Sequence, residues 1–158
     1  MPGLRILPKL VIPLLLAACD QPTTISTLPS HLREAPTQVQ VEEHSLIMET
    51  YVGRDFMPIS PPDGKPMVAV LRIRTVDGQP FPSGVTAERV SVVQGDQVWT
   101  APTIKEHDSQ EPHTLEVIAR EGPKWQPGTK VDVVVYLRDS AGREHLLRAP
   151  DQTIQRSD

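Results

Sequence analysis

The stretch Trp125-Gln126-Pro127-Gly128-Thr129-Lys130-Val131-Asp132-Val133-Val134-Val135-Tyr136-Leu137-Arg138-Asp139 decides the fold. From Lys130 onward an extended chain places Val131, Val133, Val135 and Leu137 on one side, and Asp132, Val134, Tyr136 and Arg138 on the other. β-Branched residues dominate, which suits a pleated surface. Pro127-Gly128 before the run and Ser140-Ala141-Gly142 after it supply turns. Working outward, the same period of two recurs. Leu46, Met48, Thr50 and Val52 alternate with Ile47, Glu49 and Tyr51; Ala69, Leu71 and Ile73 alternate with Arg72 and Arg74; and Val90 and Val92 share a face in Arg89 to Gln94. Gly95-Asp96 reads as a hairpin turn into Gln97 to Ala101. Leu115, Val117 and Ala119 form another inward row, and Glu144 to Arg148 and a last segment around Ile154 complete the set. No apolar stripe of period 3.6 is long enough for a stable helix.

Seventeen prolines among 158 residues punctuate these segments, most densely from Arg54 to Pro66, where Pro58, Pro61, Pro62 and Pro66 exclude a helix. The pattern predicts an all-β chain: a two-sheet antiparallel sandwich of about seven strands. A bulky apolar residue, then Pro-Gly-Thr, then the Val131 to Leu137 strand resembles the corner and following strand of fibronectin type III and related immunoglobulin-like domains. Val131 stands where those domains often carry a tyrosine. The resemblance implies an immunoglobulin-like sandwich and, by itself, no activity.

Ahead of the sandwich, Arg5 and Lys9 precede the apolar run Leu10 to Ala18, with no acidic residue between them. A charged start, a short apolar core and small residues before a cut form a secretory signal, too short to span a bilayer. Its ending, Leu16-Ala17-Ala18-Cys19, resembles the lipobox of bacterial lipoproteins. That resemblance implies that Cys19, the one cysteine of the chain, becomes the lipidated first residue of the mature protein. Two or three acyl chains give stable attachment. Asp20 resembles the sorting residue that retains enterobacterial lipoproteins in the inner membrane; the outer membrane is the other destination. The expected organisation is a signal peptide at 1–18, a lipidated Cys19 with a disordered tether at 19–43, and an immunoglobulin-like sandwich at 44–158. As a flexible coil the tether would span roughly 25 to 30 Å.

Cleavage after residue 18 leaves 14 Lys and Arg against 20 Asp and Glu, a formal charge of −6. That balance argues against nucleic-acid binding, which needs a basic stripe. With Cys19 carrying lipid no disulfide is available, so the sandwich rests on its core.

Among chemical constellations, His107-Asp108-Ser109 has the residue types of a serine hydrolase, but adjacent residues do not form the relay, and no Gly-x-Ser-x-Gly elbow is present. No phosphate-cradling loop, cysteine zinc site or calcium loop occurs. These absences argue against an enzyme, and no cofactor is expected. His107 and His113, with His44, Met48, Met57 and Met67 near the start of the domain, give the alternative of a periplasmic copper or small-ligand carrier, since thioether and imidazole suit copper. Met48 and Met67 also suit core filler. Trp99 and Trp125 are possible stacking platforms, with Trp125 expected to pack inward. Val134 and Tyr136, on the outward side of the best strand, mark either a contact surface, together with Arg72 and Arg74, or a patch covered by the tail or a loop. The expected function is a membrane-anchored, non-catalytic binding or scaffold module of the bacterial envelope, facing the periplasm, with an envelope protein as partner.

Overall fold

The computed structural model describes residues 28–105, 111 and 113–158. The signal segment, Cys19 and Asp20, and His107 with Asp108 and Ser109 lie outside the described residues. Among the described residues are one short helix, α1 (Leu28–Arg33), and nine strands: β1 (Val39–Val41), β2 (His44–Asp55), β3 (Met67–Thr75), β4 (Thr86–Gln94), β5 (Gln97–Pro102), β6 (Thr114–Gly122), β7 (Lys130–Arg138), β8 (Glu144–Thr153) and β9 (Gln155–Ser157).

The strands form two sheets. One runs β1-β2-β3-β6, with β9 pairing β2 in parallel, and the other runs β5-β4-β7-β8 with antiparallel pairing throughout. The chain passes between sheets after β3, after β5, after β6 and after β8, so neither sheet is made of consecutive hairpins alone. This is the all-β, two-sheet sandwich expected from the period-two rows.

Register explains why those rows meet. Thr50, Leu71 and Val117 stand opposite one another across β2, β3 and β6, as do Val52, Ala69 and Ala119. In the facing sheet Val90, Val135 and Leu147 align, as do Val92, Val133 and Ala149. Leu46, Met67, Leu71, Ile73, Leu137 and Leu147 are fully buried between the sheets. Each fully buried side chain of this size contributes about 1.5–3 kcal/mol relative to exposure. Met48 and Met67 both belong to this core. The β4–β5 hairpin closes through Gly95, whose φ of 56° lies in the left-handed region that glycine adopts at least cost.

The N-terminal boundary differs from expectation. Residues 28–43 were expected within a disordered tether, but they fold onto the sandwich as an arm comprising α1 and β1. Leu32 and Ala35 are buried, and they form a second apolar cluster with Val93 and Val134, against which Tyr136 and Leu146 pack. Pro36 O accepts from Arg148 N at 2.8 Å, Ala35 O accepts from Arg148 Nε at 2.8 Å, and Arg33 donates to Gly95 O. Then β1 pairs with the start of β2, Val39 opposite Leu46. The physical reason is the apolar cluster of Val93, Val134, Tyr136 and Leu146 on the outer side of β4, β7 and β8, which gains by being covered. A six-residue helix alone would be unstable, so packing holds it.

At the other end of β2, Arg54 is buried and ties two loops together. Its guanidinium donates to Lys65 O at 3.0 Å, to Lys124 O and Trp125 O at 3.1 Å each, and to Asp63 O. Main-chain carbonyls thus satisfy a buried cation whose desolvation would otherwise be costly.

Candidate functional site

The residues expected to form one contact surface lie on opposite sides of the sandwich. Val134 is 0% exposed beneath the arm, and Tyr136 is half-buried with its ring under the Arg89 guanidinium at 3.9 Å. The Tyr136 hydroxyl accepts from Ser91 Oγ at 3.3 Å. Val134 and Tyr136 are therefore corrected from a partner face to the floor of the arm's seat. Arg72 and Arg74 project from β3 on the other sheet, where Arg72 Nε donates to Glu116 at 2.7 Å and Arg74 donates to Glu49 at 3.2 Å.

That second outer face, on β2, β3 and β6, is the candidate site. Alternation fixes its composition, because the inward residues of these strands fill the core and their neighbours must point out. Register then sorts the outward residues into rows. Tyr51, Val70 and Ile118 form an apolar row, beside which Glu49, Arg72 and Glu116 form a charged one. Ile104 bridges to Ile118 at the β6 edge and is itself exposed. The carboxylate of Glu116 bonded to it holds the Arg72 guanidinium above its ordinary range, so the cation is permanent. As a solvent-exposed pair it adds little stability and serves mainly to orient both groups.

Tyr51 occupies the centre and is 45% exposed. Its ring lies over Gly53: a Cβ at that glycine would stand 2.6 Å from the Tyr51 Cζ. Gly53 is two residues on, about 6.6 Å along the strand, so the tyrosine lies along the sheet instead of standing upright. The phenol and the Ser157 hydroxyl are hydrogen-bonded at 3.3 Å, which fixes the far end of the ring. Two depressions meet at this residue. One, of about 370 Å³, is lined by Glu49, Thr50, Tyr51, Val70 and Arg72. The other, of about 490 Å³, runs from Tyr51 along β9 past Gln155, Arg156 and Ser157. Sequence reading missed Tyr51 as a site. The available signal was an aromatic residue two positions before a glycine on the outward face of a strand, a spacing that lets the ring lie down.

A separate polar cluster orders the end of the sandwich near the β7–β8 turn. The buried Asp139 carboxylate accepts from His145 Nε2, Arg143 Nε and Arg143 N at 2.9 Å each and from Ala141 N at 3.0 Å. His145, first among these donors, holds the carboxyl well below the usual aspartate range despite burial. Ser140 follows directly, but its hydroxyl is bonded to Glu42 of the β1–β2 turn, which also accepts from Ser140 N at 3.0 Å. That hydrogen bonding lowers the Glu42 pKa. Every group here is engaged in closing turns.

The remaining sequence candidates are dispersed. Trp99 and Trp125 are half-buried and packed against the main core. His113 is exposed in the turn leading into β6, while Met57 is exposed in the loop after β2. Among the described residues no group of three His, Cys, Asp or Glu side chains could hold a metal ion, and no helix is long and apolar enough to cross a membrane. Comparison of the chain with protein-family models, with curated proteins and with solved structures found no match.

Proposed function

We propose that the protein is an exported lipoprotein, anchored through Cys19, whose immunoglobulin-like sandwich acts without catalysis as a binding module in the bacterial envelope. The observation that carries this reading is the asymmetry of the two outer faces. The chain's own arm covers one, and the other presents Tyr51 in a preformed depression rimmed by fixed charges. Supporting the immunoglobulin-like assignment is the strand order, with β2-β3-β6 facing β5-β4-β7-β8.

Folding of the arm shortens the tether. The first described residue, Leu28, is nine positions after Cys19, a contour of at most about 30 Å. The domain is then confined to a thin layer beside the bilayer, where a weak binding face meets a partner on the same membrane at raised effective concentration. Asp20 favours the inner membrane for this layer. Metabolic labelling with a clickable palmitate analogue tests the anchor: the wild-type protein takes up label and fractionates with membranes, and Cys19→Ala takes up none and keeps its leader. A Cys19→Ala protein that is still processed and membrane-bound refutes it.

A further inference from the structure

We infer that the paired depressions at Tyr51 bind an uncharged pyranose chain, a deepening that rests on the binding-module reading above. The argument begins with what the site offers. Its apolar element is one tyrosine ring pressed along the sheet over Gly53 and pinned by Ser157, with the Val70 side chain beside it. Around that ring stand hydrogen-bonding groups: Glu49 and Arg72 on one side, Gln155 and Ser157 on the other. A pyranose has the matching form, with a face of C–H bonds that stacks on a ring and a rim of hydroxyls that both donate and accept.

Other occupants fit less well. An amphipathic helix needs a continuous groove of apolar anchors at helical spacing, and here the apolar row is one residue wide per strand and bordered by ion pairs. Addition of a peptide strand needs a free edge, but β1 and β9 occupy both ends of the outer β2 edge and Ile104 bridges onto β6. A polyanionic chain needs net positive charge. The charges of this face balance, with Arg72 and Arg74 answered by Glu116 and Glu49. The depressions, about 370 and 490 Å³, are each within the size range of small-molecule sites and meet at the ring, so one sugar of a chain would stack on it while its neighbours enter the depressions on either side.

The test is calorimetric titration of the full-length protein in detergent with cellotetraose, chitotetraose and maltotetraose. Saturable binding of at least one is expected, and Tyr51→Ala weakens it about tenfold, the stacking of one ring. Tyr51→Phe keeps the stacking surface and stays within about threefold of wild type. Should Tyr51→Ala fold poorly, Glu49→Gln on the rim serves in its place, with an expected loss of a few-fold. A ring that merely covers Gly53 would leave the titrations of all these variants alike. No binding of any tetrasaccharide, or binding that a folded Tyr51→Ala retains in full, overturns the inference. The binding-module reading fails separately: crosslinking from the Tyr51 face in cells that captures an envelope component while the sugars fail sinks the glycan alone, and silence in both sinks both.

Discussion

The two outer faces of the sandwich are built from the same material and end differently. Each presents a central tyrosine on an outward row, with an arginine nearby and a valine beside it. On β7, Val134 and Tyr136 lie under the arm, with Leu32 and Ala35 completing an apolar cluster. On β2 and β3, Tyr51 and Val70 face solvent, and the cations of that face are paired with glutamates. The difference teaches that an outward apolar row on a strand does not by itself mark a contact surface. What decides is whether another part of the chain can reach it with matching apolar residues. Here the arm covers the cluster of Val93, Val134, Tyr136 and Leu146, and leaves open the Tyr51, Val70 and Ile118 row, which ion pairs border.

The sharpest way to break the comparison is to place a charge under the arm. Val134→Asp buries an unpaired carboxylate and is expected to cost about 3–5 kcal/mol, read from the denaturant midpoint. A cost below about 1 kcal/mol, the range of surface substitutions, would mean that this face is open after all. Loosening the cover from its own side is next. Leu32→Ala is expected to cost about 2 kcal/mol, the low end for such truncations because a satellite cluster relaxes more easily than the main core. Hydrogen exchange should then accelerate in 28–41 and not in β3 or β7.

Acid should release the end of the arm. Glu42 and Asp139 both have pKa values lowered in the folded state, by Ser140 and chiefly by His145 respectively. A lowered folded pKa means that the stabilisation is complete above the ordinary carboxylate range and is lost as pH falls through and below it. Thermal melts from pH 7 to pH 3 should therefore show a falling midpoint, and the fall should be shallower in an Asp139→Asn, Glu42→Gln double variant. An equally steep fall would assign the acid sensitivity elsewhere. The smallest effect is expected on the open face, where Tyr51→Ala should change stability by less than about 1 kcal/mol.

Much of the sandwich was legible because burial on one side of a strand forces a period of two. Val131, Val133, Val135 and Leu137, and equally Ala69, Leu71 and Ile73, could be placed inward from their spacing, and all are buried. Gly95-Asp96 was readable as a hairpin turn because few dipeptides suit one so well. The arm was not legible. Its six-residue helix is too short to show a 3.6-residue period, and Pro29 within its first turn and Pro36 after it read as loop residues. Consequently the apolar character of Val134 could be read as a covered patch or as a contact surface, and the segment that covers it could not be read. Arg54 was hidden for another reason: a charged residue beside Asp55 reads as the start of a solvated loop, and only the fold shows that main-chain carbonyls surround it. Tyr51 could be placed on the strand face opposite Leu46, Met48 and Val52, but its significance depends on Gly53 leaving room for the ring, a relation between two residues that alternation alone does not expose.

The most direct test of the two-face arrangement places a photoreactive residue at Arg72, on the open face, or at Val98, on the outer side of β5 and the same side as the arm. Irradiation is done in living cells, with the Cys19→Ala form as control. The expected result is a discrete adduct to an envelope component from position 72, absent from position 98 and lost without the anchor. An adduct from position 98 alone, or equal adducts from both positions that do not depend on Cys19, would contradict it.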